Sequence, residues 1–584
     1  MRIKHFFGLA VLAAMTASCS SNNDLVNGGN GSGENETGAS YASITIDLPT
    51  TSGTRAAGDP VFNPGSANEY AVNDATLLIF KKAGKSENDY TFVETAQLGN
   101  LEPWKKDNTT GNGITTEATI TAELKQASVG EDGDYYALVI LNNTDKDNKD
   151  KVSMPSSTDT YGTWNAAATV KNLIDYEKGF YMANAPEFKT AGEEPTTLVQ
   201  IKGIYRTKEE AHSKPGATVH VERGLAKVTV GKGTGKDYFT GAKASGTKYS
   251  NDDVKIESWA LDVINKYSFP VHVTAGLKDG LTSTSLTIPS YPKIWSNVSG
   301  KTDRFVSQVS ATGAFKRVYW GIDPNYSMDL SNFAKCGEQF TLAAADGSPV
   351  TWKNGSGSDN PLYCLENTFD INNMKQGQTT RVLLKATYTP SAVATETDKT
   401  FFMIGKSSDI WTVTTLADQI KSKAEEVLGI TPAVKVTLND GIKSAGTHVL
   451  DATNVTIKSG EDDKTADVVD KINTKLGFDK DKGIGIKTYK NGESYYIARI
   501  KHFGDDFTKW NPGETYGTDN EKYLGRYGVL RNNWYDLTVN SISGPGYPDV
   551  PKVNPDTPDD EDTKYINVSV KILDWAKRSQ KVDL

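Results

Sequence analysis

Short runs rich in β-branched, aliphatic and aromatic residues recur along this chain, each closed within a few positions by Gly, Asn, Asp or Pro. DATLLIFKK (74–82), YYALVILNN (135–143), TTLVQIKG (196–203), ATVHVERGLAKVTV (217–230), TTRVLLKATYTP (379–390), ESYYIARIKHF (493–503) and NNWYDLTVNSI (532–542) are of this kind. A period of two sends one row of side chains to a core and the other away from it, and frequent turn formers keep the strands short. The pattern predicts an all-β protein made of β-sandwiches. Two helical insertions are expected. One is TVTTLADQIKSKAEEVLG (412–429), with Leu416, Ile420 and Leu428 on its apolar stripe and Gly429 as its stop; the other is TADVVDKINTKLG (465–477). A length of 584 residues exceeds one typical domain. VHVERGLAKVTV is long enough to cross a junction, which places a domain boundary near residue 220.

The first residues carry an address. MRIKHFFGLAVLAAMTASCS has a basic start at Arg2 and Lys4, an apolar run from Phe6 to Met15, small residues at Ala17 and Ser18, then Cys19. The apolar run is too short to span a bilayer and reads as the core of an export signal. A cysteine directly after small residues resembles the lipobox of bacterial lipoproteins, in which the thiol receives diacylglycerol, although Thr16 stands where an aliphatic residue is usual. An ordinary cleaved signal with an unrelated cysteine is the alternative. The Gly/Ser/Asn-rich stretch that follows reads as a flexible leash. Cys336 and Cys364 are the other cysteines; export permits a disulfide between them, and spacing alone does not separate that from two buried thiols.

Several functions are set aside by composition and motif. A net charge of -9 gives no electrostatic footprint for nucleic acid, and no polybasic membrane patch occurs. The six histidines stand singly, without metal-ligand spacing. GKGTGKD (231–237) has too few residues between its glycines for a phosphate loop, and Asp237 stands where a hydroxyl should be; it reads as a β-turn. NNTDKDNKDK (142–151) lacks the glycine of a calcium loop and reads as a solvated hairpin tip. Without a nucleophile elbow, only a carboxylate pair assembled in space is left open as catalytic machinery. No catalytic, metal or cofactor-binding residue is expected, and the chain is read as non-enzymatic.

The two ends carry the same pattern. SITIDL places Ile44, Ile46 and Leu48 on one face, and YINVSVKIL places Ile566, Val568, Val570 and Ile572 on one face. After the first comes TTSGTRAAGDP, a small-residue loop around Arg55 that suits a trypsin-like protease or is simply inert. Before the second comes PDVPKVNPDTPDDEDT (548–563), expected to be extended and solvated, holding the tail strand away from the body. Loss of the early strand would open two sheet edges, which the tail of another copy could close by strand addition. Such a contact is heterologous and propagates as a filament.

These features together are similar to the fimbrillins of Bacteroidetes type V pili, the short-fimbria (Mfa-type) major subunits above all. The residues that carry the resemblance are the lipobox, SITIDLP…GTRAAGD, VERGLAKVTV, LYCLENTF, YGVLRNNWYDLTVNSISGPG and PDTPDDEDTKYINVSVKILDW. The resemblance implies two transthyretin-like β-sandwich domains, at 56–220 and 221–547, after a lipoprotein signal (1–18) and a tether and propeptide with a removable strand (19–55). It further implies lipidation of Cys19 and cleavage of the Arg55–Ala56 bond by an Arg-specific protease. Residues 548–584 would be linker and donor strand. The partners implied are other copies head-to-tail, anchor and tip subunits, and the outer membrane through lipid. The location implied is the outer membrane for the precursor, then a cell-surface fimbrium that mediates adhesion and virulence. A tip or accessory adhesin, or a carbohydrate-binding surface lipoprotein of the same fold, is the alternative.

Overall fold

The computed structural model describes residues 39–48, 67–99, 101, 117–129, 133–167, 172–187, 195–274, 318, 321–367, 370–429, 433–505, 508–560, 566–573 and 578–579. Strands dominate. The first sheet contains β1 (Ser40–Asp47), β2 (Ala75–Lys81), β3 (Thr91–Gln97), β4 (Glu117–Leu124), β5 (Tyr135–Leu141), β6 (Met182–Asn184), β7 (Val199–Gln200) and β8 (Ala217–Arg223). Its order is β3-β2-β5-β6-β8-β1-β4, with β7 beside β5. β2 and β5 are apolar along their length and buried on both faces: Leu77 to Phe80 and Leu138 to Leu141, with Val219 and Val221, share one apolar cluster with the inward row of β1.

β9 (Leu225–Lys232) follows β8 after Gly224 alone and enters a different sheet. That sheet runs Leu362–Leu365, β9, Trp534–Ile542, Ile566–Leu573, Arg578–Ser579. A further sheet is built on Asp253–Asp262, Arg381–Thr389 and Glu493–Arg499. Val228 and Leu537 from the former and Trp259, Leu384 and Tyr496 from the latter meet in a second apolar cluster. Both predicted helices form. Val413–Leu428 is capped by Thr412 and stops at Gly429, whose φ of 67° is the left-handed value that glycine adopts without strain. Thr465–Leu476 ends the same way at Gly477. With short strands between residues 401 and 489 they enclose their own cluster, to which Phe402, Leu416, Ile420, Val455 and Ile472 belong. They therefore close a small module, not a decoration on a sandwich face.

Cys336 and Cys364 are both buried and free. They sit in separate clusters, Cys336 with Val263 and Phe340 and Cys364 with Val228 and Tyr535, so the possible disulfide is not formed. Burial pushes both thiols up, Cys336 to about 11 and Cys364 to about 12. The 142–151 segment is less solvated than expected. Lys151 is 3% exposed, and its ammonium donates to the carbonyls of Asn142 and Gly179 at 3.0 and 2.8 Å.

A charged seam joins the two large clusters. Lys227 of β9 lies 2.7 Å from Glu69 Oε1, with side-chain exposures of 3% and 1%, and over the Trp534 ring at 3.9 Å. Tyr363 donates to the same oxygen at 2.5 Å, and Arg223 Nε donates to the Glu69 carbonyl at 2.8 Å. Glu69 thereby pins the chain where it re-emerges after the Arg55 loop. Glu69→Ala leaves the buried Lys227 ammonium uncompensated and is expected to destabilise the protein by about 3–5 kcal/mol, read as a lowered thermal midpoint. An unchanged midpoint would contradict the role given to the seam.

Candidate strand-exchange site

β1 occupies an interior position in its sheet, parallel to β8 and antiparallel to β4. Ala42, Ile44, Ile46 and Leu48 form its inward row, each at most 2% exposed, and this is the row that alternation marks in the sequence. Burying the three larger aliphatics contributes about 1.5–3 kcal/mol apiece. In the opposite row Ser43 is buried, while Thr45 and Asp47 are partly exposed. The Ser43 and Thr121 hydroxyl oxygens are 2.6 Å apart and those of Thr45 and Thr119 2.9 Å apart, so hydroxyl pairs step along the ladder. Past the end of β8, loops complete the other edge: Tyr41 and Tyr205 exchange two backbone hydrogen bonds, and the Gly216 N–H donates to the Ser43 carbonyl.

Asp47 closes the strand beside His220 of β8. Glu187 Oε1 is 2.7 Å from Nδ1 of that ring, and Asp47 Oδ2 is 3.3 Å from Nε2. A carboxylate beside each nitrogen favours the protonated ring. Burial opposes the charge, but the hydrogen bond to Glu187 and the charges of Glu187 and Asp47 outweigh it and hold the pKa above the usual 6.5.

The tail strand Ile566–Leu573 pairs antiparallel with Trp534–Ile542, from Trp534↔Leu573 to Ile542↔Ile566. Val568 packs on the second cluster. This differs from the expectation of a tail held off by a solvated linker. The reason is electrostatic, because the acidic linker lies on a row of buried arginines. Arg381, paired with Asp262 at 2.8 Å, donates to the Pro551 carbonyl at 3.0 Å. Asp559 is fully buried, 3.0 Å from Arg499 Nη1, and accepts from the Thr379 hydroxyl. Asp560 is 2.7 Å from Arg526 Nη2 and accepts from Tyr527 and Tyr516. Burial, only partly offset by Arg499 and Thr379, lifts the Asp559 carboxyl to about 6. Cys19, Arg55 and Ala56 lie outside the described residues, as do the side chains of Ile566, Val570 and Ile572.

Sequence reading found the two strands but missed what holds them. His220 was visible only as a lone histidine. The arginines carried a stronger signal: Arg499 shares a strand face with Tyr495 and Ile497, and a basic residue in an inward row requires a buried carboxylate. The nearby acidic run supplies two. Among the described residues, no group of three or more His, Cys, Asp or Glu could hold a metal ion, and no helix is long and apolar enough to cross a membrane.

The body is mostly β. Residues 487–581, which include the tail strand and its pairing partner, match the family described as major fimbrial subunit protein type IV, fimbrillin, C-terminal. Over those residues the chain is similar to fimbrillins. No curated protein matches. Among solved structures, a fimbrilin from Porphyromonas gingivalis W83 is 13% identical with a TM-score of 0.34, over 92% of this chain and 99% of that one. The C-terminally truncated tip fimbrial protein Mfa3 of Porphyromonas gingivalis is 9% identical with a TM-score of 0.27, over 92% of this chain and 100% of that one.

A histidine whose folded pKa is raised contributes stability that is complete below its unfolded value and is lost as pH climbs through the folded value. His220→Gln is therefore expected to remove one component of the pH dependence: the stability gap between parent and variant is widest below pH 6.5 and narrows above it. Parallel denaturant titrations measure this, and a gap that widens with pH would refute the assignment. Separately, Asp559→Ala should leave Arg499 unpaired and speed amide exchange across residues 551–560, whereas a solvated linker would exchange fast in both proteins.

Proposed function

We propose that this protein is the structural subunit of a cell-surface fimbria, exported as an outer-membrane lipoprotein through Cys19. An Arg-specific protease cuts between Arg55 and Ala56, and the subunits polymerise by donor-strand exchange into an adhesive filament. The observation that carries the reading is the seating of β1. A strand near the start of the chain fills the interior of a sheet and of a core, and the loop after it contains a single arginine. Once that loop is cut, only non-covalent contacts retain β1, while the downstream end is pinned at Glu69. The vacancy takes one extended segment with branched aliphatics at alternate positions. The tail of a second copy offers Ile566, Val568, Val570 and Ile572. A tail so formed favours a stalk subunit, which must donate, over a tip subunit, which need not.

Three proteins test this: the full chain, Arg55→Ala, and a truncation lacking 564–584, each treated with an Arg-specific protease. The full chain is expected to yield filaments whose subunits begin at Ala56. Arg55→Ala should stay uncut at that bond and the truncation should stay monomeric after cleavage. Filaments of normal length from the truncation would refute the proposal.

A further inference from the structure

Building on the strand-exchange reading, we infer that the incoming tail enters the β1 slot in one register only, Tyr565 to Ile572 taking the places of Tyr41 to Leu48, so that Lys571 lands where Asp47 sits. The two segments read YASITIDL and YINVSVKI. Ile566, Val568, Val570 and Ile572 then occupy the inward row of Ala42, Ile44, Ile46 and Leu48. Asn567 and Ser569 face Thr121 and Thr119 in place of Ser43 and Thr45, which keeps a hydrogen-bonding side chain opposite each threonine.

Other registers fail at named sites. A slip of one residue turns Asn567, Ser569 and Lys571 into the core and the aliphatics out of it. A slip of two in one direction puts Lys564 at the position of Ala42, which is 0% exposed; a slip of two in the other puts Asp574 at the position of Leu48, which is 2% exposed. Either buries an unpaired charge. The inferred register has one large change of size, where Ile566 replaces Ala42 opposite Ala122.

The charge reversal at the end of the strand is what distinguishes the two occupants. The resident strand brings Asp47 to a ring that also faces Glu187 on the segment after β6. The donor brings an ammonium to the same place, where Glu187 can take it. The slot thus reads its own strand through His220 and the neighbour's through Glu187. That gives specificity by charge at a single position on an otherwise interchangeable pair of strands.

Cysteine pairs in the full chain test the register. Thr119→Cys with Ser569→Cys should form a disulfide between copies when filaments are oxidised. Thr119→Cys with Asn567→Cys or with Lys571→Cys should not. A dominant link at 567 or 571 overturns the register and leaves strand exchange standing. Filaments without a link in any of the three overturn the register and the slot together. Should the cysteine variants fail to assemble, a charge on the inward row decides: Val568→Lys, at the position of the fully buried Ile44, is expected to slow polymerisation more than about tenfold, and Ser569→Lys, at the position of the partly exposed Thr45, should not. Polymerisation slowed by Ser569→Lys and not by Val568→Lys would overturn the inference.

Discussion

Ile44, Ile46 and Leu48 lie at the centre of a core that β4 and β8 cannot close without a strand between them. A sheet can lose an edge strand and keep its core, but losing an interior one opens two rows of backbone groups and an apolar trough at once. Much of the first cluster therefore depends on a segment of eight residues, and the rest of the architecture can be understood as support for that arrangement. Both long edges of β1 are matched along their length, by β4 on one side and by β8, Tyr205 and Gly216 on the other.

The supports are electrostatic where the strand itself is apolar. Glu69, Lys227, Arg223 and Tyr363 fix the chain downstream of the Arg55 loop and join the first cluster to the second. Asp559 and Asp560 clamp the linker to Arg499 and Arg526, close to the root of the tail strand. Buried pairs of this kind add little net stability compared with apolar packing, but they are costly to break on one side. Among the described contacts, the tail is joined to the body by a ladder to Trp534–Ile542 and by the packing of Val568.

The strands and both long helices were legible because their signals are local. Period-two alternation marks the rows of β1, short apolar runs mark β2 and β5, and Gly429 and Gly477 mark helix ends by the conformation they permit. What could not be read was pairing across long separations. Nothing local joins Asp47 to His220, Glu69 to Lys227 or Asp559 to Arg499. The acidic linker was misread for a related reason. Prolines and like charges favour an extended solvated segment in isolation, and the arginines that reverse that preference lie on distant strands. The cysteines show the same limit, since Cys336 and Cys364 fall in different clusters despite their modest separation in sequence.

The central claim is that β1 and the tail strand are alternative occupants of one slot. Amide exchange on filaments of the cleaved protein, read at β4 and at residues 217–220 of β8, tests it most directly when combined with a mass measurement of whether the cut segment is still present. The account predicts filaments that have lost residues 40–55 while the amides facing the slot stay as protected as in the uncut chain. Filaments that retain the cut strand, or that lose it and leave those amides open to solvent, would contradict it.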